Sequence, residues 1–258
     1  MRRYMTKEDV VEKTNENVDL FFFDLNNSTV KRNRVRNFHS FKEFFKNTTR
    51  PPIYKNLKMG KIYFSENLKD WRSDDKIGSF MPAACHVFLF DVTKEDFYEA
   101  GTDYCKNNEI PYIKRFQNNV RNLNIETILI TRHVFPEPYV KYFEFGDKVS
   151  NYTKFDSKGR FKRFDIPIRT GEDKLKAAKL KVREKNLTLD RCAAMVDGIN
   201  DIPLVEALTE EGGLTLASPL AKPELAKKVD YHIKSFEDLG VLARMLEKEM
   251  PQFKPLSI

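Results

Sequence analysis

Four short apolar runs, each closing on a polar residue or a turn, constrain this chain more than any other feature of its sequence. They are 18–24 (Val-Asp-Leu-Phe-Phe-Phe-Asp), 126–131 (Glu-Thr-Ile-Leu-Ile-Thr), 193–197 (Ala-Ala-Met-Val-Asp) and 213–217 (Gly-Leu-Thr-Leu-Ala). Each is too short for a helix and too continuously apolar for a strand with one wet face, so each predicts a strand buried on both faces. Residues 231–233 predict a short fifth strand. Between them, helices are expected at 112–122, 174–185, 204–208, 223–228 and 236–249. Strands alternating with helices at this spacing predict an α/β fold with a parallel, Rossmann-like sheet.

Two segments break the alternation. Residues 31–105 are polar, basic and aromatic, with Arg50-Pro51-Pro52 as a loop marker and helices expected at 38–45, 83–90 and 94–107. They read as a mainly helical cap inserted after the first strand, leaving 1–30 and 106–258 as the core domain. The second break, 148–166, places aromatics on both sides of Asp156-Ser157-Lys158-Gly159, which predicts a hairpin turning at 157–159.

Hydrophobic residues make up 41% of the chain and 21 of its 258 residues are Phe, so a packed core is expected rather than disorder. Cys85, Cys105 and Cys192 are widely spaced, and the four His are scattered, which argues against a disulfide framework or a structural zinc site. The first residues lack the apolar stretch of a signal peptide, and no run approaches membrane-spanning length. A soluble, cytoplasmic protein is the expectation.

Ligands of doubly wound sheets bind beyond the carboxyl ends of the strands. Three of the predicted strands end there in Asp24, Thr131 and Asp197. Asp197 opens Asp197-Gly198-Ile199-Asn200-Asp201, two carboxylates around a flexible turn. Carboxylates from different strands converging at one rim make an oxygen-rich site suited to Mg²⁺.

Order and content together resemble the haloacid dehalogenase superfamily, nearest its phosphoserine-phosphatase-like branch. Phe21-Phe22-Phe23-Asp24-Leu25-Asn26-Asn27-Ser28 resembles that family's first motif, and Ile128-Leu129-Ile130-Thr131 its second. Lys174, 23 residues before Asp197, matches the third-motif lysine; choosing it over Lys176 rests on that spacing. Val196-Asp197-Gly198-Ile199-Asn200-Asp201 resembles the fourth motif, and Ala217 to Glu224 the small-residue turn and Lys-Pro-Glu that follow it. The match covers about 18–30 and 108–248; the insert matches in position alone.

The resemblance implies a Mg²⁺-dependent phosphatase acting on a small phosphorylated metabolite. Asp24 would attack phosphorus to form an aspartyl-phosphate that water hydrolyses. The metal would be held by Asp24, the main-chain carbonyl of Asn26, Asp197 and Asp201. Thr131 and Lys174 would bind the phosphoryl oxygens, with main-chain N–H groups after Asp24, Arg132 and Asn200 contributing to substrate binding.

Two departures stand out. The family places a second Asp two residues after the nucleophile as general acid and base; here that position is Asn26, whose amide does neither at neutral pH. Such a loss typically costs about 10²–10⁴-fold in rate. Three accounts stay open: a substrate with a good leaving group, a catalytically impaired phosphate-binding or regulatory module, or an engineered change that traps a complex. Val196, where the family prefers Gly, removes no ligand.

The net charge of +7 is concentrated. Residues 31–76 hold 13 Lys/Arg against 5 Asp/Glu, and the remainder 32 against 33. The segment 31–36 follows the first motif directly, so a basic hood that attracts an anionic substrate is expected beside the simpler account of a solvated basic surface. Tyr54, Tyr63, Phe64 and Trp71 lie among these basic residues, but with no recognised nucleic-acid motif a nucleic-acid partner is not expected. No oligomeric state follows from the sequence.

Overall fold

The computed structural model describes residues 4–31 and 93–249. Its strands are β1 (Leu20–Asp24), β2 (Glu126–Ile130), β3 (Asp147–Val149), β4 (Tyr152–Phe155), β5 (Phe161–Asp165), β6 (Cys192–Val196), β7 (Leu214–Ala217) and β8 (Tyr231–His232). The α-helices are α1 (Lys7–Asn17), α2 (Lys94–Asn108), α3 (Ile113–Asn122), α4 (Glu137–Phe143), α5 (Gly171–Glu184), α6 (Ile202–Glu211), α7 (Pro223–Ala226) and α8 (Phe236–Glu249).

Six strands form one sheet in the order β3-β2-β1-β6-β7-β8, every pairing parallel. The central strand β1 is buried on both faces, and its side chains alternate between two cores. Phe21 and Phe23 join Ile113, Phe116, Leu239 and Leu242, so α1, α3 and α8 cover that face. Leu20 and Phe22 join Ala178, Val182, Leu204 and Leu208, so α5 and α6 cover the other. Phe21 and Phe23 stack at 4.5 Å between centroids, and Phe116 meets both edge-on.

Three helices start from the same device. Thr6, Thr93 and Thr170 each accept a hydrogen bond from the main-chain N–H three residues on, and the side chains of Asp9, Asp96 and Asp173 accept in turn from the threonine N–H. These reciprocal caps fix where α1, α2 and α5 begin.

The expected α/β architecture and all five predicted core strands are present to within about a residue or two at their ends. The segment 148–166 divides differently from the expectation. Its first residues belong to β3, a parallel edge strand paired with β2, and the hairpin itself is β4–β5. Strand β3 has only three residues, too few for its pattern to stand out from the hairpin that follows. The helices α1 and α4 carried no expectation, and α5 begins at Gly171, before the expected 174. The helix expected at 94–107 is α2. The other two helices expected in the insert, its basic residues from Arg32 to Lys76, and Tyr54, Tyr63, Phe64 and Trp71 lie outside the described residues.

Cys105 and Cys192 are both buried and free. Among the described residues no helix is long and apolar enough to cross a membrane.

Phe22 is fully buried between β1 and the α5–α6 layer. Phe22→Ala is therefore expected to lower unfolding free energy by about 3–5 kcal/mol, read as a fall in the urea midpoint at unchanged slope. A loss below about 1 kcal/mol would mean that this layer is not the packed core described.

Candidate active site

Asp24, the last residue of β1, pairs in register with Ile130, so Thr131 emerges beside it at the same rim. On its other side β6 ends at Val196 and delivers Asp197. A tight 3-10 turn at Ile199–Asp201 then brings Asp201 back to the cluster. One oxygen from each of Asp24, Asp197 and Asp201 lies within 4.8 Å of the others.

The fourth member arrives from α5. Lys174 is 2% exposed; its ammonium donates to Asp24 Oδ1 at 2.7 Å and to Asp201 Oδ1. The reach depends on Gly171, because a Cβ there would sit 2.4 Å from the carbonyl oxygen of Asn200. Only glycine lets the first turn of α5 seat against the 199–201 turn. Lys176, two residues on, is exposed on the outer face of the helix.

Two further oxygens of the cluster are also engaged. Asp201 Oδ2 accepts the Gly198 N–H at 3.0 Å, and Asp197 Oδ2 accepts Asn27 Nδ2 at 2.9 Å. Asn27 adopts φ 51, a left-handed conformation that asparagine tolerates. The turn after Asp24 is closed by main-chain bonds, Asn27 N–H to Val30 O at 2.6 Å and Val30 N–H to Leu25 O at 2.9 Å. Thr29 Oγ1 donates to the Asp24 carbonyl at 2.6 Å. The amides of Asn27, Thr29 and Val30 are thus used inside the turn, which narrows the main-chain donors expected after Asp24.

The electrostatics follow from this crowding. Burial pushes the Asp24 carboxyl well above the usual range; the Lys174 charge opposes this, and Asp201 and Asp197 add to it. Burial likewise raises Asp197, against the hydrogen bond from Asn27. For Lys174, burial favours the neutral amine, but the charges of Asp201 and Asp24 win and keep it protonated. Three carboxylates face one ammonium, an all-oxygen, electron-rich set that a hard divalent cation fits.

Thr131 is buried, and its Oγ1 accepts the His133 N–H at 3.1 Å, leaving its O–H hydrogen to donate. Asn26 is half-buried in the turn, and Arg132 and Asn200 are exposed at the rim. The structure therefore gathers Asp24, Lys174, Asp197 and Asp201 into one hydrogen-bonded cluster with Thr131 adjoining, while the Arg132 and Asn200 side chains stand outside it. Sequence reasoning missed Asn27 and Thr29, although an Asn-Asn pair after a strand is a turn signal.

With fold and site geometry established, the class is that of an α/β protein with the haloacid dehalogenase fold. Phosphoserine phosphatase in its apo form aligns over 84% of this chain and 94% of its own, with a TM-score of 0.55 at 14% identity. A phosphoserine phosphohydrolase-like protein from Francisella tularensis covers 87% and 99%, with a TM-score of 0.57 at 16% identity. A HAD family hydrolase from Salmonella enterica serovar Typhi covers 89% and 72%, with a TM-score of 0.56 at 17% identity. No family model matches the sequence, and no curated protein matches it. The likeness is one of fold.

Removing the buried ammonium leaves its carboxylates uncompensated. Lys174→Met is expected to cost about 3–5 kcal/mol in urea unfolding. Unchanged stability would show that the ammonium does not hold the cluster together.

His133 offers a separate pH test. Its ring packs edge-on against Tyr139, and Nδ1 accepts the Phe135 N–H at 3.1 Å. Burial pushes its pKa down to about 4. The folded state therefore holds the neutral ring, while the unfolded chain takes up a proton near the ordinary value of about 6.5. This contribution is full above about pH 6.5 and declines as pH falls toward about 4. His133→Gln should flatten that part of the stability–pH curve; an unchanged curve would refute the assignment.

Proposed function

We propose that this protein is a metal-dependent phosphohydrolase that cleaves a small phosphomonoester through an aspartyl-phosphate on Asp24. The observation that carries this reading is the bonding of Lys174 to Asp24 and Asp201 at the carboxyl ends of parallel strands, with Asp197 beside them. The fold likeness to phosphoserine phosphatases and HAD family hydrolases supports it.

In this reading an Asp24 oxygen attacks phosphorus as the bond to the alcohol oxygen breaks, and the alcohol leaves with a proton. Water then attacks the phosphorus of the acyl phosphate, releasing inorganic phosphate and restoring the carboxylate. Thr131 O–H and the Lys174 ammonium hold the phosphoryl oxygens, and Lys174 offsets the charge of the modified Asp24. Arg132 and Asn200, exposed at the rim, contact the rest of the substrate. Asp24, the Asn26 carbonyl, Asp197 and Asp201 would hold the cation, with Mg²⁺ suited to an all-oxygen set. Bound there, Mg²⁺ would reduce the repulsion between the attacking carboxylate and the phosphate. Asn26 provides no proton transfer, so the alcohol and the attacking water rely on solvent, and turnover is slow for a poor leaving group.

Phosphate release from an aryl phosphate is expected to be chelator-sensitive and lost in Asp24→Asn. Asn26→Asp should raise turnover of an alkyl phosphate by about 10²–10⁴-fold, and that of the aryl ester by less. Absence of phosphate release by both the unmodified protein and Asn26→Asp, across a panel of phosphate esters, would sink the proposal.

A further inference from the structure

Two arginines at the rim of the site stand on unusually well-fixed main chain. Arg132 directly follows Thr131, and Arg169 directly precedes Thr170, the cap of the helix that carries Lys174. Both side chains are exposed. Arg132 Nη1 donates to the Arg169 carbonyl oxygen at 2.9 Å, joining the two loops.

Asn151, 2% exposed, braces the same two loops. Its Nδ2 donates to the Arg132 carbonyl at 2.8 Å and to the Ile168 carbonyl at 3.0 Å, and its Oδ1 accepts the Ile168 N–H at 2.8 Å. One buried amide thus fixes the backbone from which both arginines project. Arg115, Arg121, Arg160, Arg163 and Arg191 each meet a carboxylate. Among the described residues Arg132 and Arg169 meet none, and neither do Arg183 and Arg244; the Arg132 side chain bonds the carbonyl oxygen of Arg169 and Arg169 Nε that of Ile166 at 3.4 Å.

The arrangement is polarised. The inner cluster is rich in carboxylates, whereas the rim carries two guanidiniums most of whose N–H donors have no partner among the described residues, on main chain already ordered. Guanidinium groups recognise carboxylate and phosphate oxygens through paired, charge-assisted bonds, and a prefixed backbone lowers the cost of ordering them. We propose that Arg132 and Arg169 bind a second oxyanion of the substrate, a carboxylate or a further phosphate, so that the preferred substrate carries an anionic group a few atoms from the phosphoryl group that reacts. This rests on the phosphohydrolase reading above and adds Arg169 to the residues that select the substrate.

The test is calorimetric titration of the full chain, with Mg²⁺ present, using three probes: ethyl phosphate, phosphoglycolate and propane-1,3-diyl bisphosphate. The first lacks a second anion, the second adds a carboxylate and the third a phosphate. At least one two-anion probe is expected to bind about 10- to 100-fold more tightly than ethyl phosphate. Arg169→Met should cut that preference to a few-fold, Arg169→Lys should keep part of it, and Arg183→Met on the exposed face of α5 should leave it intact. Equal binding of all three probes to the unmodified protein would overturn this inference alone. So would a preference that survives in both Arg132→Met and Arg169→Met. Binding of none of the three would overturn it together with the phosphohydrolase reading.

Discussion

A single buried ammonium organises the working end of this molecule. Lys174 bonds Asp24 and Asp201, which come from sequence positions 150 and 27 residues away. A charge at 2% exposure is tolerated only with opposite charge in contact, and a cluster of three carboxylates is tolerated only with a cation among them. Each side therefore requires the other. The same requirement fixes the start of α5: its first turn must come close enough for Lys174 to reach, which places Gly171 against the Asn200 carbonyl.

The sheet makes this encounter repeatable. Because β1 is buried on both faces by alternating Phe side chains, its register against β2 and β6 is set by two cores at once. A slip of one residue would exchange Phe21 and Phe23 for Leu20 and Phe22 across the sheet, and would also move Asp24 away from Asp197. Packing energy spent far from the rim thereby determines which polar groups meet at it. The rim then gains finer positioning from local bonds, with Asn27 on Asp197 and Thr29 on the Asp24 carbonyl.

How much of this was legible in the sequence depends on whether a signal is periodic, local or relational. The five core strands were readable because short uninterrupted apolar runs have few other uses in an α/β fold. The choice of Lys174 over Lys176 rested on spacing, and one proves buried and the other exposed, as helical geometry dictates for positions two apart. The start of α1 was readable in principle from Thr6-Lys7-Glu8-Asp9, the same capping pattern that begins α2 at Thr93-Lys94-Glu95-Asp96. Strand β3 was not, because three residues carry too little pattern, and its pairing with β2 is a long-range fact. The bracing of Arg132 and Arg169 by Asn151 was equally out of reach: it joins three segments that no local rule relates.

Asn26 sits in the turn after Asp24 without its side chain closing that turn. The turn that contains it is closed by main-chain bonds and by the side chains of Asn27 and Thr29, with the Asn26 side chain absent from those closures. Exchanging a carboxylate for an amide at that position therefore leaves the strand end, the turn and the three-carboxylate cluster in place. In the proposed reading what would change is proton transfer, since an amide neither donates a proton to a leaving alkoxide nor removes one from water. Under the proposed function, binding and catalysis would thus be separable at this rim: the groups proposed to hold an anion or a cation come from the fold, whereas the group that would move a proton depends on a side chain that the fold does not need.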